Sequence, residues 1–145
     1  MIRAIAAEDT VAVRWPVLRP RFPRETAVFE GDAAPGTLHF GAFDGEVLVA
    51  VASIYLAPFP AQPDVSPAMQ LRGMATLPPV RGKGFGKMLL DTCVAAAREN
   101  GARLIWCNAR TSAADFYAKN GWQIAGVEFD IPTVGPHFRM FLELR

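Results

Sequence analysis

Apolar residues recur along the chain in two rhythms: short runs or alternations closed by Gly, Pro or Asp-Gly, and longer stretches with helical spacing. Ile2 to Ile5 alternates weakly and predicts a first strand. Glu8-Asp9-Thr10 places acids ahead of Val11, Val13, Trp15, Val17 and Leu18, a helix start that Pro16 makes short or broken. Residues 19–36, with Pro20, Pro23 and Pro35 among charges, read as a connector. Thr37 to Phe43 reads as a strand, Asp44-Gly45 as a hairpin turn, and Glu46 to Leu56 as a long apolar strand antiparallel to the first. A Pro-rich loop fills 57–68. Met69 to Leu77 is the next strand, in which Gly73 predicts a bulge or a close backbone approach; Pro78-Pro79 stops it.

From Phe85 the rhythm changes. Leu89, Leu90, Cys93, Val94, Ala96 and Ala97 keep a helical period up to Asn100-Gly101, a C-terminal stop. Arg103 to Cys107 reads as a short buried strand. Ser112 to Asp115 has capping-box spacing, which predicts a second helix from Ser112 to Asn120-Gly121. Trp122 to Asp130 and Phe138 to Leu144 read as two strands around Pro132 and Pro136. Strands first, then strand–helix–strand–helix–strand–strand, predict a mixed α/β sheet with helices packed on it.

Composition narrows the function classes. A length of 145 residues with 51% hydrophobic and 20% charged residues predicts one globular domain, 1–145. A net charge of +1 argues against nucleic acid or an anionic membrane as partner. No apolar run approaches a membrane span, and acids stand where a signal peptide needs apolar residues, which predicts a cytoplasmic protein. Cys93 and Cys107 have neither disulfide-framework nor zinc-site spacing, so both read as core thiols, with no metal site expected.

The densest chemistry is Arg81 to Lys87, RGKGFGK, between a strand and a helix. Gly82, Gly84 and Gly86 let the backbone turn and aim N–H groups at an anion, the helix adds its positive end, and Arg81, Lys83 and Lys87 add full charges. A dinucleotide fingerprint fails at Lys87, and a Walker loop fails at Arg81 and Met88. The remaining pattern, Arg81-x-x-Gly84-x-Gly86, resembles the [QR]-x-x-G-x-[GA] coenzyme A pyrophosphate loop of the GNAT superfamily of N-acetyltransferases. Downstream, Ala113-x-x-Phe116-Tyr117-x-x-x-Gly121-Trp122 is similar to a second segment of that family. Pro136-His137-Phe138-Arg139-Met140 resembles the closing strand of a bacterial group within it. The strong resemblance covers roughly residues 69–140.

The resemblance implies a mixed, mostly antiparallel α+β sheet of about six or seven strands flanked by helices, with coenzyme A at splayed central strands. It implies that Met74, Ala75 and Thr76 run their backbone beside the pantetheine arm. It also implies that the amides of Arg81, Gly82, Lys83, Gly84, Phe85, Gly86 and Lys87 hold the pyrophosphate of acetyl-CoA, the cosubstrate. The family places Asn seven residues before the helix Tyr; here that position is Arg110, so either Asn108 substitutes or Arg110 contacts the cofactor with its charge. Tyr117 is the implied acid for the departing thiolate. A phenol of pKa about 10 can hydrogen-bond to, and protonate, the conjugate base of a thiol of pKa about 8.5. A backbone N–H on 74–76 is the implied donor to the carbonyl oxygen.

Several choices stay open at this level. Glu128, Asp130 and His137 are candidate bases beside ordered water. Arg14, Arg19, Arg21 and Arg24 line a site for an acidic substrate or form a solvated surface. His39 is packed and hydrogen-bonded rather than catalytic. The expected activity is acetyl transfer to a primary amine, of a small molecule or a peptide, by direct attack in a ternary complex. The rivals are a non-catalytic acyl-CoA sensor and polyanion binding through the arginines, the latter disfavoured by the near-neutral charge. Dimers are common in the family, so a homodimer is a candidate state.

Overall fold

The computed structural model describes residues 1–145. In chain order the elements are β1 (Ile2–Ala4), α1 (Val11–Leu18), β2 (Leu38–Asp44), β3 (Val47–Leu56), β4 (Ala68–Thr76), α2 (Phe85–Glu99), β5 (Leu104–Arg110), α3 (Ala114–Lys119), β6 (Gln123–Ile131) and β7 (Gly135–Glu143). The strands form a seven-stranded sheet in the order β1-β2-β3-β4-β5-β7-β6. The β1–β2, β2–β3, β5–β7 and β6–β7 pairings are antiparallel and β4–β5 is parallel, so the class is mixed α/β with a mostly antiparallel sheet. No helix is long and apolar enough to cross a membrane. The chain divides into two compact units, Met1–Leu56 with Leu71–Ala96, and Ala57–Gln70 with Ala97–Arg145.

In the first unit β2 and β3 form the expected hairpin, with Gly45 at φ +62° in its turn. The long, mostly apolar run of β3, with Ser53 inside it, is buried from Val49 to Tyr55. Val13 of α1, Val51 of β3 and Ala75 of β4 meet in one cluster, with Ile5, Val17, Leu18, Leu48 and Leu77 packed around it. α1 is short, but it continues past Pro16. Arg19 N–H still bonds the Trp15 carbonyl at 3.0 Å, so Pro16 ends nothing.

The second unit is built on aromatic packing. Phe59 lies 5.6 Å from Trp106 and 5.3 Å from Phe141 between ring centroids, with Ala68 and Leu104 in the same cluster. The Trp106 indole N–H donates to the Ala57 carbonyl at 3.1 Å, so the buried ring keeps its polar atom satisfied. The Pro-rich segment before β4 therefore contributes core as well as connection.

Three boundaries differ from expectation: the last strand starts at Gly135 rather than Phe138, with Pro136 paired to Asp130, and two further differences lie around β5 and α3. β5 runs on to Arg110 because Asn108, Ala109 and Arg110 stay paired with Arg139, Phe138 and His137 of β7; polar residues there mask a strand end. The capping box at Ser112 does not form. Thr111–Ala113 make a 3-10 turn, the extended residue that a cap needs is Arg110, and α3 begins at Ala114 without a side-chain cap.

Candidate functional site

The first unit carries the anion loop. β4 ends at Thr76, Pro78–Val80 form a 3-10 turn, and α2 starts at Phe85. Gly82 and Gly84 hold φ values of +81° and +88°. A Cβ on either would meet nothing, so the backbone angle, not crowding, calls for glycine. The Arg81 and Lys83 N–H groups close turns onto the Pro78 and Val80 carbonyls, at 3.2 and 3.4 Å. The Met88 N–H makes the first helical bond, to Gly84 O at 3.1 Å. The N–H groups of the helix's first turn thus point outward from a 15-residue dipole, where an anion is stabilised. Arg81 Nε donates to the Thr76 carbonyl at 3.2 Å, Lys83 is exposed, and Lys87 Nζ lies 3.1 Å from the Asp91 carboxylate one turn along.

Upstream, Gly73 stands at φ +66° inside β4, the predicted irregularity. The added crowding is specific. A Cβ there would sit 2.9 Å from Arg14 Nε and 3.1 Å from a Phe29 ring carbon. Ala75 is buried in the core cluster, while Met74 and Thr76 are partly exposed.

That crowding comes from a node the sequence did not announce. Arg14 is fully buried. Its Nη1 donates to Asp32 Oδ2 at 2.7 Å and to the Ala27 carbonyl at 3.1 Å. Its Nη2 donates to Asp32 Oδ1 at 3.2 Å, Ser53 Oγ at 3.0 Å and the Tyr55 hydroxyl at 2.9 Å. Its guanidinium carbon lies 4.1 Å from the Phe29 ring centre. Burial alone would raise the Asp32 carboxyl, but hydrogen bonds from Arg14, Tyr55 and the Phe29 N–H outweigh it and hold it below its ordinary value. The Tyr55 phenol is pushed up to about 12 by burial and by donating to Asp32. His39 is packed as expected: Nδ1 lies 2.6 Å from Ser53 Oγ and Nε2 lies 2.9 Å from the Asp32 carbonyl. A carbonyl can only accept, so Nε2 carries the proton and Ser53 donates to Nδ1. The expectation for Arg14, a solvated surface or a substrate contact, is overturned by its complete burial and its pairing with Asp32. Arg21 and Arg24 are exposed, and Arg24 lies 5.5 Å from the Trp15 ring.

The second unit holds the remaining candidates. Asn108 is half-buried, with its Oδ1 3.5 Å from Arg139 Nε, and Arg110 is exposed at the end of β5. Tyr117 is buried, with Trp122 and Phe116 rings each 5.2 Å away. Burial pushes the Cys107 thiol far up, and a hydrogen bond from Tyr117 partly opposes this; burial alone raises Cys93 to about 12. Both are free thiols held neutral. Of the three candidate bases, Glu128 accepts from Thr111 Oγ1 at 2.8 Å, Asp130 is exposed, and His137 is buried with Nδ1 donating to the Gly135 carbonyl at 2.7 Å. No three His, Cys, Asp or Glu side chains are grouped so that they could hold a metal ion.

Residues 3–122 match the model of the acetyltransferase (GNAT) family. The chain is 37% identical over 144 residues to YitI of Bacillus subtilis (strain 168), an uncharacterized N-acetyltransferase, covering 99% of this chain and 96% of that one. Among solved structures it is similar to an IAA acetyltransferase from Bacillus cereus ATCC 14579, with TM-score 0.75, 20% identity and 99% of each chain covered. It is also similar to an aminoglycoside 6'-N-acetyltransferase complexed with coenzyme A, with TM-score 0.77, 13% identity, and 99% and 96% of the two chains covered. These last two likenesses speak to the fold. The family match and the YitI identity go further: the chain belongs to the acetyltransferase (GNAT) family, as an N-acetyltransferase that moves an acyl group from coenzyme A to an acceptor.

Proposed function

We propose that residues 1–145 act as one N-acetyltransferase domain in the cytoplasm, moving an acetyl group from acetyl-CoA to a primary amine on a small molecule or peptide. The amine attacks the thioester carbonyl carbon within a ternary complex. The C–N bond forms, the C–S bond breaks, and the thiolate leaves with a proton from the Tyr117 hydroxyl. The amine's proton departs through water or one of Glu128 and Asp130. His137 is less suited to that task, being buried and tied through Nδ1 to Gly135. The amides at Gly82, Gly84 and the first turn of α2 take the pyrophosphate, supported by Arg81, Lys83 and Lys87. The backbone of Met74, Ala75 and Thr76 takes the pantetheine arm, and one of its N–H groups faces the developing oxyanion. Asn108 and Arg110 are the cofactor contacts assigned to the second unit. The neutral, buried thiols make an acetyl-cysteine relay a poor alternative and suit a reducing compartment.

The observation that carries this reading is the loop between β4 and α2, where two left-handed glycines and a helix N-terminus combine with exposed cations. Thiol release from acetyl-CoA against a panel of amines tests it, alongside the melting shift caused by coenzyme A. Tyr117→Phe should lower kcat by roughly 10²-fold or more with little change in coenzyme A affinity. An unchanged kcat removes Tyr117 from the chemistry. Tight coenzyme A binding without thiol release from any amine would make the chain an acyl-CoA sensor instead.

A further inference from the structure

Arg72 immediately precedes Gly73 on β4, at the edge of the Arg14 node, and unlike Arg14 it has no carboxylate to neutralise it. It is half-buried. Its guanidinium carbon stands 5.0 Å from the Phe29 ring centre and 5.1 Å from that of Tyr55, and Nη1 donates to the Glu30 carbonyl at 3.2 Å. It has no ion pair, and most of its N–H donors have no protein partner. Asp32, the carboxylate buried beside these rings, has no capacity left. Its two oxygens already accept from Arg14 twice, from Tyr55 at 2.5 Å and from the Phe29 N–H at 2.9 Å. The Glu30 side chain is exposed and makes no ion pair with Arg72.

We propose that Arg72 is the acceptor-binding residue of this enzyme, and that it selects an amine which also carries a carboxylate. The inference rests on the acyl-transfer reading above. If the pyrophosphate sits at the loop following the C-terminal end of β4, the arm runs back along Thr76, Ala75 and Met74. Its acetyl end then arrives beside Gly73, next to Arg72. A guanidinium is a planar fork that takes a carboxylate through two parallel hydrogen bonds. Two aromatic rings and one carbonyl bond already orient this one, so little side-chain freedom is lost when the anion binds. Partial burial strengthens the pairing relative to a solvated surface arginine. Arg14 is excluded from the role because Asp32 already occupies its fork.

The test uses amines that differ only in the carboxylate: lysine and cadaverine, phenylalanine and phenethylamine, tryptophan and tryptamine. Their kcat/KM values are read by thiol release at saturating acetyl-CoA. The carboxylate-bearing member of at least one pair should be preferred by about tenfold or more. In Arg72→Gln that ratio should collapse towards one, chiefly through a rise in KM for the carboxylate-bearing amine. Arg72→Met, whose apolar stem still packs on Phe29 and Tyr55, should do the same and replaces Arg72→Gln if the latter melts far below wild type. A dipeptide with a free C-terminus, run beside the free amino acid and its amide, distinguishes a metabolite acceptor from a peptide one. Turnover with equal efficiency within every pair, or a preference kept by both folded variants, overturns the inference and leaves acyl transfer standing. No thiol release with any amine removes acyl transfer and the inference together.

Discussion

The Arg81–Lys87 loop and the Arg14–Asp32 node are both built around positive charge in the first unit, and they handle it in opposite ways. The loop is contiguous and solvated, and its cations lean on single carbonyls or on a surface carboxylate. The node gathers residues 18 to 41 positions apart, buries a full guanidinium, and gives partners to both its terminal nitrogens, Nη1 and Nη2, and to the opposing carboxylate, leaving only Nε buried without one. Positive charge by itself therefore marks no site. Whether its donors are already occupied separates a structural arginine from one that awaits a ligand. Arg72 stands between the two cases, half-buried like a structural residue but unpaired like a binding one.

The hardest way to break this contrast is to remove the node's anion. Asp32→Asn keeps the shape and leaves Arg14 buried without a counter-charge. It should cost about 3–5 kcal/mol, or roughly 6–20 °C in Tm, while the folded fraction binds coenzyme A as before. The node also sets an acid limit. Asp32 titrates below its ordinary 3.8 in the folded chain, so its contribution is complete above that value and is lost as pH falls through the folded pKa. Asp32→Asn should lack that component of acid unfolding. A melting point within about 2 °C of wild type would mean that the pair contributes little and that the contrast is only geometric.

The loop should respond the other way. Gly84→Ala has room for its Cβ but not for its φ of +88°, an angle that costs an L-residue about 1–2 kcal/mol. An exposed loop can relax away from that strain, so the cost should fall on ligand binding. Coenzyme A affinity should drop roughly fivefold to thirtyfold, with the melting point nearly unchanged. Isothermal titration and a thermal melt on the same sample decide it. A large loss of stability at constant affinity would place the loop with the structural elements.

These two regions also explain what could be read before the fold was known. The loop, the Gly73 irregularity, α2 and the Tyr117 segment each depend on residues within a few positions, and glycine spacing, helical period and turn residues record such dependence directly. The node depends on Arg14 of α1 and Asp32 of the connector converging on Ser53 and Tyr55 of β3, and no local pattern records that. In the sequence Asp32 is one more charge in a proline-broken connector, and Arg14 is one of four arginines that line a site for an acidic substrate or form a solvated surface. Arg72 did leave a trace, as a charge interrupting the apolar run Met69 to Leu77, but it becomes informative only once Asp32 is known to be saturated. The Ser112 capping box misled for a related reason. Its spacing was right, but β5 stayed paired to Arg110 and moved the turn ahead of it.

The smallest expected effect sharpens the contrast most directly, because it removes a single positive charge from the solvated region. Lys83 is exposed and sits between the two left-handed glycines of the loop. Lys83→Ala should weaken coenzyme A binding only about twofold to fivefold at low salt, since an exposed pair gains little and is screened. The difference from wild type should shrink further as ionic strength rises and the Debye length falls to about 8 Å or less. The melting point should not move, because no protein carboxylate is left unpaired. If Lys83→Ala instead lowered stability more than affinity, its charge would be compensated by the fold in the manner of Arg14, and burial would not be what distinguishes the two regions. A Kd series at three salt concentrations, run beside thermal melts of both proteins, separates the two outcomes.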